Sequence, residues 1–389
     1  MSDPADSDLI LVLNAGSSSI KLAVSDGDLT EKLTGIAEGI GGTGQLKLGT
    51  VKKSAQDFPD HESALQAVLS GLEANGLPFS RFRAAAHRVV HGGTELTEPA
   101  RVTPEVIAAI DRCSALAPLH NPHNLAAIKT LARLAPDLPQ TATFDTAFHA
   151  TNPEVAARYA VPAGIEARGI RRYGFHGTSY ASLVRHMPSL TGTTLPKRLL
   201  AFHLGNGASI CAIRDGQSLA TTMGYSPLGG LTMGTRTGEI DGNAVLRLAE
   251  EDGIAATHHL LNKESGLRGL SGGLSDMRAL MEADTAEARF ATDHFCYWAL
   301  RHAGSLIVAM EGLDSVAFTG GIGENAAPIR ARIFQGLAWL GAQLNEAANT
   351  RGDTRLHADT SAITGWIVPA QEERMIAADA LHLLNATPP

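Results

Sequence analysis

Residues 9–24 read LILVLNAGSSSIKLAV, and this stretch decides the fold. Leu9 to Leu13 is an unbroken apolar run of strand length and Ile20 to Val24 is a second. Between them, Asn14-Ala15-Gly16-Ser17-Ser18-Ser19 is rich in residues that favour turns. The expected element is a β-hairpin. Residues 199–213, LLAFHLGNGASICAI, repeat the layout, with Leu199 to Leu204 and Ile210 to Ile213 flanking Gly205-Asn206-Gly207-Ala208-Ser209. Asn14 and Asn206 are separated by about half of the 389 residues, which predicts an internal duplication whose halves each open on a hairpin.

Length points the same way, because one hydrophobic core stops growing beyond about 250 to 300 residues. Hydrophobic residues make up 44% of the chain and charged residues 19%, enough to bury two cores. Helical patterns fall between the strands. Thr103-Pro104-Glu105 opens one over Val106, Ile107, Ile110 and Cys113, with Pro118 ending it and Leu119 to His123 expected as a loop. Thr292 to Met310 is a long helix candidate. Ser315 to Thr319 is a short buried strand running into Gly320-Gly321-Ile322-Gly323-Glu324-Asn325, with a further helix from about Ala326. Strands alternating with helices make each half α/β.

A net charge of −8 argues against nucleic-acid or membrane-surface partners, which need a basic face. The polar start, MSDPADSD, has no signal-peptide pattern and no apolar run reaches membrane-spanning length, so a cytoplasmic protein is expected. Cys113, Cys211 and Cys296 form no CxxC pair and are expected to be buried and small.

Several segments can carry chemistry. Gly16 with Ser17, Ser18 and Ser19 offers backbone N–H groups and hydroxyls, and Lys21 follows, which suits the terminal phosphates of a nucleotide, although most such turns are only turns. No Walker pattern GxxxxGK[ST] is present, and GIGENA at 321–326 fits GxGxxA only weakly. Arg88 in HRVVHGG and Arg236 in MGTRTGE lie in glycine-rich surroundings where a phosphate-binding acidic protein would place its cations. His87 with His91, and His120 with His123, have metal-ligand spacing without the HExxH glutamate, so zinc is not favoured. Asp145 in FDTAFH and His176 in GFHGTS occupy turns typical of sites, while a GxSxG elbow is absent and hydrolysis is disfavoured.

Taken together, LVLNAGSSSIK, HRVVHGG, APLHNP, FDTAFH, GFHGTS, HLGNGASICAIRDG, GYSPLGGLTMGTRTG, FTGGIGEN and a late EER resemble the acetate kinase family, in order and over nearly the whole chain. The resemblance implies the duplicated fold of the sugar kinase, actin and chaperone ATPase superfamily (ribonuclease H-like), with a central nucleotide cleft and a homodimer. Residues 1–148 with 373–389 would form the N-terminal domain, and residues 149–372 the second, carrying the adenosine site. It implies Mg²⁺ (Mn²⁺ as a substitute) near Asn14 and Glu372, and ATP or ADP as substrate. Arg88 and Arg236 would bind the acyl carboxylate and the transferring phosphoryl group, Asp145 would be catalytic, and His176 would contact phosphoryl oxygens in the transition state. Ser17, Ser19, Lys21, His203, Leu204, Gly205, Asn206 and Gly207 would lie along the phosphates. Gly320, Gly321, Ile322, Gly323 and Asn325 would lie against the adenosine, and Val90, Leu119, Phe175 and Pro227 would line an acetate pocket. The implied reaction is reversible transfer between ATP and acetate, giving acetyl phosphate. Propionate or butyrate kinase, and a non-enzymatic nucleotide-gated module, are the competing readings. Four positions depart from the family pattern: glycine at 229 or 230 in place of Glu, Gly242 in place of Pro, Tyr180 in place of His, and Arg374 in place of Leu.

Overall fold

The computed structural model describes residues 8–50 and 54–386; most of the polar start lies outside them. The chain divides into two compact units, Met1–Ala147 with Gln371–Pro389, and Phe148–Ala370.

The first unit is built on eight strands: β1 (Leu9–Ala15), β2 (Ser19–Ser25), β3 (Glu31–Glu38), β4 (Gly42–Leu48), β5 (Ser54–Phe58), β6 (Phe82–Val89), β7 (Ala100–Arg101) and β8 (Gln140–Phe144). Their order across the sheet is β5-β4-β3-β2-β1-β6-β8-β7. β1 and β2 form the expected antiparallel hairpin, with Asn14 opposite Lys21 and Ala15 opposite Ile20. β6 then pairs parallel to β1, and β8 parallel to β6. β1 is apolar on both sides because both faces are covered. Leu9, Leu11 and Leu13 pack with the helices His61–Ala74 and Asn121–Leu134, whereas Ile10, Val12, Ala84 and Ala86 pack under Ile376, Ala377 and Ala380 of the final helix, Glu372–Asn385.

The second unit has five strands: β9 (Arg198–Leu204), β10 (Ala208–Arg214), β11 (Gln217–Thr221), β12 (Ser315–Thr319) and β13 (Thr364–Ile367), ordered β11-β10-β9-β12-β13. β9 and β10 are the second hairpin, and β12 and β13 continue in parallel. Strand for strand this repeats β3-β2-β1-β6-β8 of the first unit, with the same orientations. The duplication expected from the two Asn/Gly turns is therefore a property of the sheets.

Three local expectations are corrected. Asn121-Pro122-His123 is not loop but the first turn of the helix Asn121–Leu134: Pro122 is pre-set for a helix start. The same turn is held by the neighbouring strand end, with Asn124 Oδ1 accepting from Val90 N (3.1 Å) and Asn121 Oδ1 from His91 N (3.1 Å). The long helix begins earlier than Thr292, at Ala286, because the Thr285 hydroxyl caps it by accepting from Ala288 N. Gly320–Asn325 is itself a short helix, followed by another over Ala327–Gln335.

All three cysteines are buried, and desolvation pushes Cys113, Cys211 and Cys296 up to about 11, 12 and 11, so their thiols are inert. No helix of the described residues is long and apolar enough to cross a membrane. His87 and His91, at the end of β6 and just beyond it, are buried and held neutral, each pushed down to about 4 by desolvation. Both rings titrate at about 6.5 once unfolded. The unfolded chain therefore binds more protons between these values, and folding stability falls as pH drops through about 6.5 toward 4. Denaturant unfolding across that window should show a loss of a few kcal/mol per histidine, and a shallower pH slope in His87→Gln. An unchanged slope would assign the effect elsewhere.

Candidate active site

In the first unit the candidate residues gather on the sheet face covered by the final helix. Side-chain alternation puts Asn14 in line with Ile10 and Val12, and Arg88 in line with Ala84 and Ala86. Lys21 lies directly opposite Asn14 in the hairpin register. Arg88 grips Asp145, with Nε 3.0 Å from Oδ1 and Nη2 2.5 Å from Oδ2. Asp145 follows β8, is 2% exposed, and is fixed by its own backbone N–H donating to Val89 O (3.0 Å). Glu372, opening the final helix, brings a second carboxylate within 4.0 Å of Arg88 Nε.

Burial alone would depress Arg88, but Asp145 and then Glu372 hold its guanidinium well above the ordinary arginine range. Desolvation pushes the Glu372 carboxyl up, opposed by Arg88 and Lys21. Since Asp145 occupies Nε and Nη2, the Nη1 edge of Arg88 has no partner among the described residues. Arg374 does not pair with Glu373; its Nη1 donates to Gln371 Oε1 (3.3 Å). In the hairpin turn, Ser17 is exposed and Ser19 half-buried, and Gly16 N–H closes the turn on Ser19 O (2.8 Å).

In the second unit the turn of the second hairpin is the focus. His176 is a non-glycine residue at φ 60°, a strained left-handed position flanked by Gly174 and Gly177, from which the helix Gly177–Thr191 departs. Its ring stacks on His203 of β9, centroids 4.1 Å apart, and His203 Nδ1 meets Ser179 Oγ at 2.8 Å. Arg236 lies in an irregular segment, Nη1 donating to Pro227 O (2.6 Å). A methyl group added at Gly207 would lie 2.7 Å from Arg236 Nη2 and 3.2 Å from His176 Nε2, so glycine there lets guanidinium and imidazole converge on one small space. Desolvation lowers Arg236 to about 10, and no carboxylate of the described residues pairs with it. It is a sheltered, fully charged cation with no anion of its own.

Beside this turn, Gly205, Asn206, Gly321, Ile322 and Asn325 line a cavity of about 530 Å³ together with Asp276, Met277, Arg278 and Met281. The glycine helix forming its wall is held from outside. Arg330, 1% exposed, donates through Nη1 to Gly323 O (3.0 Å) and Glu324 O (2.8 Å), and through Nη2 to Asn349 O (2.9 Å). Gly320 has φ 78° and its Cβ would meet Leu204 O at 2.8 Å, so glycine is required. Asp276 to Arg278 and Arg330 were not singled out by sequence. The Asp276 side chain caps its own short helix, a common signal that says nothing about a cavity shared with glycine segments far away in sequence.

The remaining expected positions distribute by unit. Val90 (buried) and Leu119 (40% exposed) belong to the first, and Phe175 (buried) and Pro227 (half-buried) to the second, where Phe175 O accepts from His149 Nε2 (2.9 Å). Of the two glycines at the GYSPLGG departure, Gly230 is forced by φ 93° and contact with Thr222 O, whereas a Cβ at Gly229 meets nothing nearer than 3.9 Å. The departure is thus at Gly229. His123 stacks on His61, and among the described residues no three or more His, Cys, Asp or Glu are grouped as metal ligands.

Known proteins are similar to this chain over nearly its whole length. Acetate kinases of Rhodopseudomonas palustris and Deinococcus radiodurans are 45% and 43% identical, over 97% and 96% of this chain and 99% and 98% of theirs. A crystal structure of Porphyromonas gingivalis acetate kinase superposes with TM-score 0.90 at 35% identity, covering 97% of this chain and all of that one. A propionate kinase from Francisella tularensis superposes with TM-score 0.91 at 34% identity, covering 96% and 98%. The Acetokinase family profile matches residues 9–378, taking in both hairpins, the paired arginine and carboxylates, and the glycine helix: the chain belongs to the Acetokinase family.

Proposed function

We propose that the protein catalyses reversible, Mg²⁺-dependent phosphoryl transfer between ATP and acetate, giving acetyl phosphate and ADP by direct in-line transfer. The observation that carries this reading is Arg236: a desolvated guanidinium without a carboxylate, converging with His176 on the space beside Gly207, answers a dispersed negative charge. Acetate resembles a Glu side chain of pKa about 4.3 and is already ionised at neutral pH, so the chain needs no strong base. Its task is to place two anions and stabilise the charge between them. Asp145 fixes the plane of Arg88 and leaves the Nη1 edge for the acyl carboxylate. His203, Asn206 and the Gly205–Gly207 turn lie along the phosphates. The cavity between the glycine helix and Asp276–Arg278 takes the adenosine.

Magnesium binds few carboxylates and keeps several waters. Glu372, with Asn14 on the same covered sheet face, supplies hard oxygen donors of that kind, and Mn²⁺ suits them too. The bound ion supplies neutralisation of phosphate charge. Removing Glu372 should raise the Mg²⁺ requirement and lower turnover, and Glu373→Ala should be mild. Activity titrated against Mg²⁺ in both variants checks this, and a shift in Glu373→Ala alone places the metal on the other carboxylate.

A hydroxamate assay with acetate, ATP and Mg²⁺ tests the reaction, and absence of hydroxamate sinks it. The propionate kinase among the solved structures gives a second reading, a longer acid. With acetate as substrate, each added methylene costs about 1–3 kcal/mol, so kcat/KM falls from acetate to propionate to butyrate. Equal values for acetate and butyrate move the protein to the second reading. A cytoplasmic homodimer completes the proposal. Phe290, Tyr297 and Val308, which are 57, 63 and 77% exposed, lie on one stripe of the helix Ala286–Ala309 and suit an isologous contact. Sedimentation as a monomer would exclude it.

A further inference from the structure

Tyr180 is one of the departures from the family pattern, and it is the residue whose surroundings leave the fewest choices. It lies one turn beyond His176 on the helix Gly177–Thr191 and is fully buried. Its hydroxyl is 2.6 Å from Ser209 Oγ, and Ser209 Oγ is 2.8 Å from His176 Nδ1. Ser209, on β10, is also fully buried. The three side chains form one hydrogen-bonded file ending at the imidazole that faces Arg236.

Each hydroxyl has one proton to give and Ser209 Oγ can accept two, so with the ring neutral the file has three arrangements. If Tyr180 and His176 Nδ1 both donated to Ser209, the buried Ser209 proton would have no acceptor among the described residues. If His176 Nδ1 carried the proton and donated to Ser209, Ser209 would donate to Tyr180, and the phenol proton would need a third acceptor. Among the described residues the Tyr180 hydroxyl reaches no acceptor other than Ser209 Oγ; its further neighbour is the backbone N–H of His203, itself a donor. That direction leaves a buried O–H unsatisfied, which costs about 1–3 kcal/mol. In the opposite direction both hydroxyls and Nδ1 are satisfied: Tyr180 donates to Ser209, Ser209 donates to Nδ1, and the imidazole proton resides on Nε2. The phenol keeps its proton because burial raises its pKa well above the ordinary tyrosine value.

We propose that Tyr180 is a positioning residue which, through Ser209, fixes neutral His176 as the Nε2–H tautomer, so that Nε2 presents a donor to the oxygens of an anion held by Arg236. The effect on turnover rests on the phosphoryl-transfer reading above; the tautomer itself does not. Ring rotation is restricted from the other side by the stacked His203.

The test uses the full-length protein labelled with ¹⁵N-histidine, free of substrates. Long-range ¹H–¹⁵N spectra report which ring nitrogen carries the proton, and the His176 signals are those lost in His176→Gln. The wild type is expected to show protonated Nε2 and bare Nδ1. Tyr180→Phe keeps the ring and removes the donor, freeing Ser209 to accept, so the signals should move toward the Nδ1–H form. Ser209→Ala, a smaller change, should abolish the preference as well and serves if the first variant does not fold. In turnover assays Tyr180→Phe should lower kcat about 10- to 100-fold with little change in KM, the range typical when the partner orienting a functional histidine is lost. Tyr180→His should restore part of it, since an imidazole N–H can donate to Ser209. A wild-type spectrum with protonated Nδ1, or an unmoved Nε2–H signal in both Tyr180→Phe and Ser209→Ala, overturns the proposal. A tautomer shift in a protein that makes no acetyl phosphate overturns the reaction assignment and leaves the relay standing.

Discussion

Arg236→Ala is expected to lose roughly 10³- to 10⁵-fold in kcat, the range for a cation that stabilises phosphoryl-transfer charge. Its folding should be almost untouched. Arg236 makes a single side-chain hydrogen bond, to Pro227 O, and has no carboxylate partner among the described residues, so its removal strands no buried anion. The expected pair of measurements is therefore a collapsed turnover and a denaturant midpoint close to wild type. Turnover near the wild-type value would show that the converging space beside Gly207 is not where charge develops.

Arg88→Ala should fail in a different way. It too should lose most of its activity, because the Nη1 edge proposed for the acyl carboxylate disappears. Here, however, Asp145 is left 2% exposed without its bidentate partner, and Glu372 loses the cation 4.0 Å away. Breaking a buried pair from one side typically costs about 3–5 kcal/mol, so the unfolding midpoint should drop markedly. Adding Asp145→Asn to Arg88→Ala should recover part of the stability and none of the activity. If Arg88→Ala is as stable as wild type, the pair does not hold the first unit together. The two arginines look alike in sequence, each set among glycines, and are separated by what surrounds them after folding.

That contrast shows where sequence reading succeeds and where it stops. The hairpins at Asn14 and Asn206 were legible because apolar runs and turn residues are local signals, and the sheet duplication followed from their spacing. Arg88, Asp145, Arg236 and His176 could be picked out as residue types in glycine-rich turns. Their pairing could not: Arg88 and Asp145 meet because β6 and β8 are neighbours in register. The helix at Gly320–Asn325 has no sequence signal because glycine is a poor helix former, and it persists because Glu324 Oε1 accepts from Gly320 N and Arg330 takes up its terminal carbonyls. Arg330 gave no sign of this in the sequence, since its partner Asn349 lies two elements away. Tyr180 was visible only as a departure, and its connection to His176 runs through a serine on another strand.

The return of the final helix to the first unit bears on the order in which the molecule can be made. A ribosome delivers β1, β6 and β8 early, yet the helix that covers Ile10, Val12, Ala84 and Ala86 is synthesised only after every strand and helix of Phe148–Ala370. Domains usually mature from the N-terminus as they emerge. In this chain the second unit has all its elements first, while the earlier unit waits with one face of its sheet bare. Glu372 arrives with that same helix, so the cluster of charges around Arg88 is completed last, and a nascent chain stalled before residue 372 carries Arg88 and Asp145 without the second carboxylate.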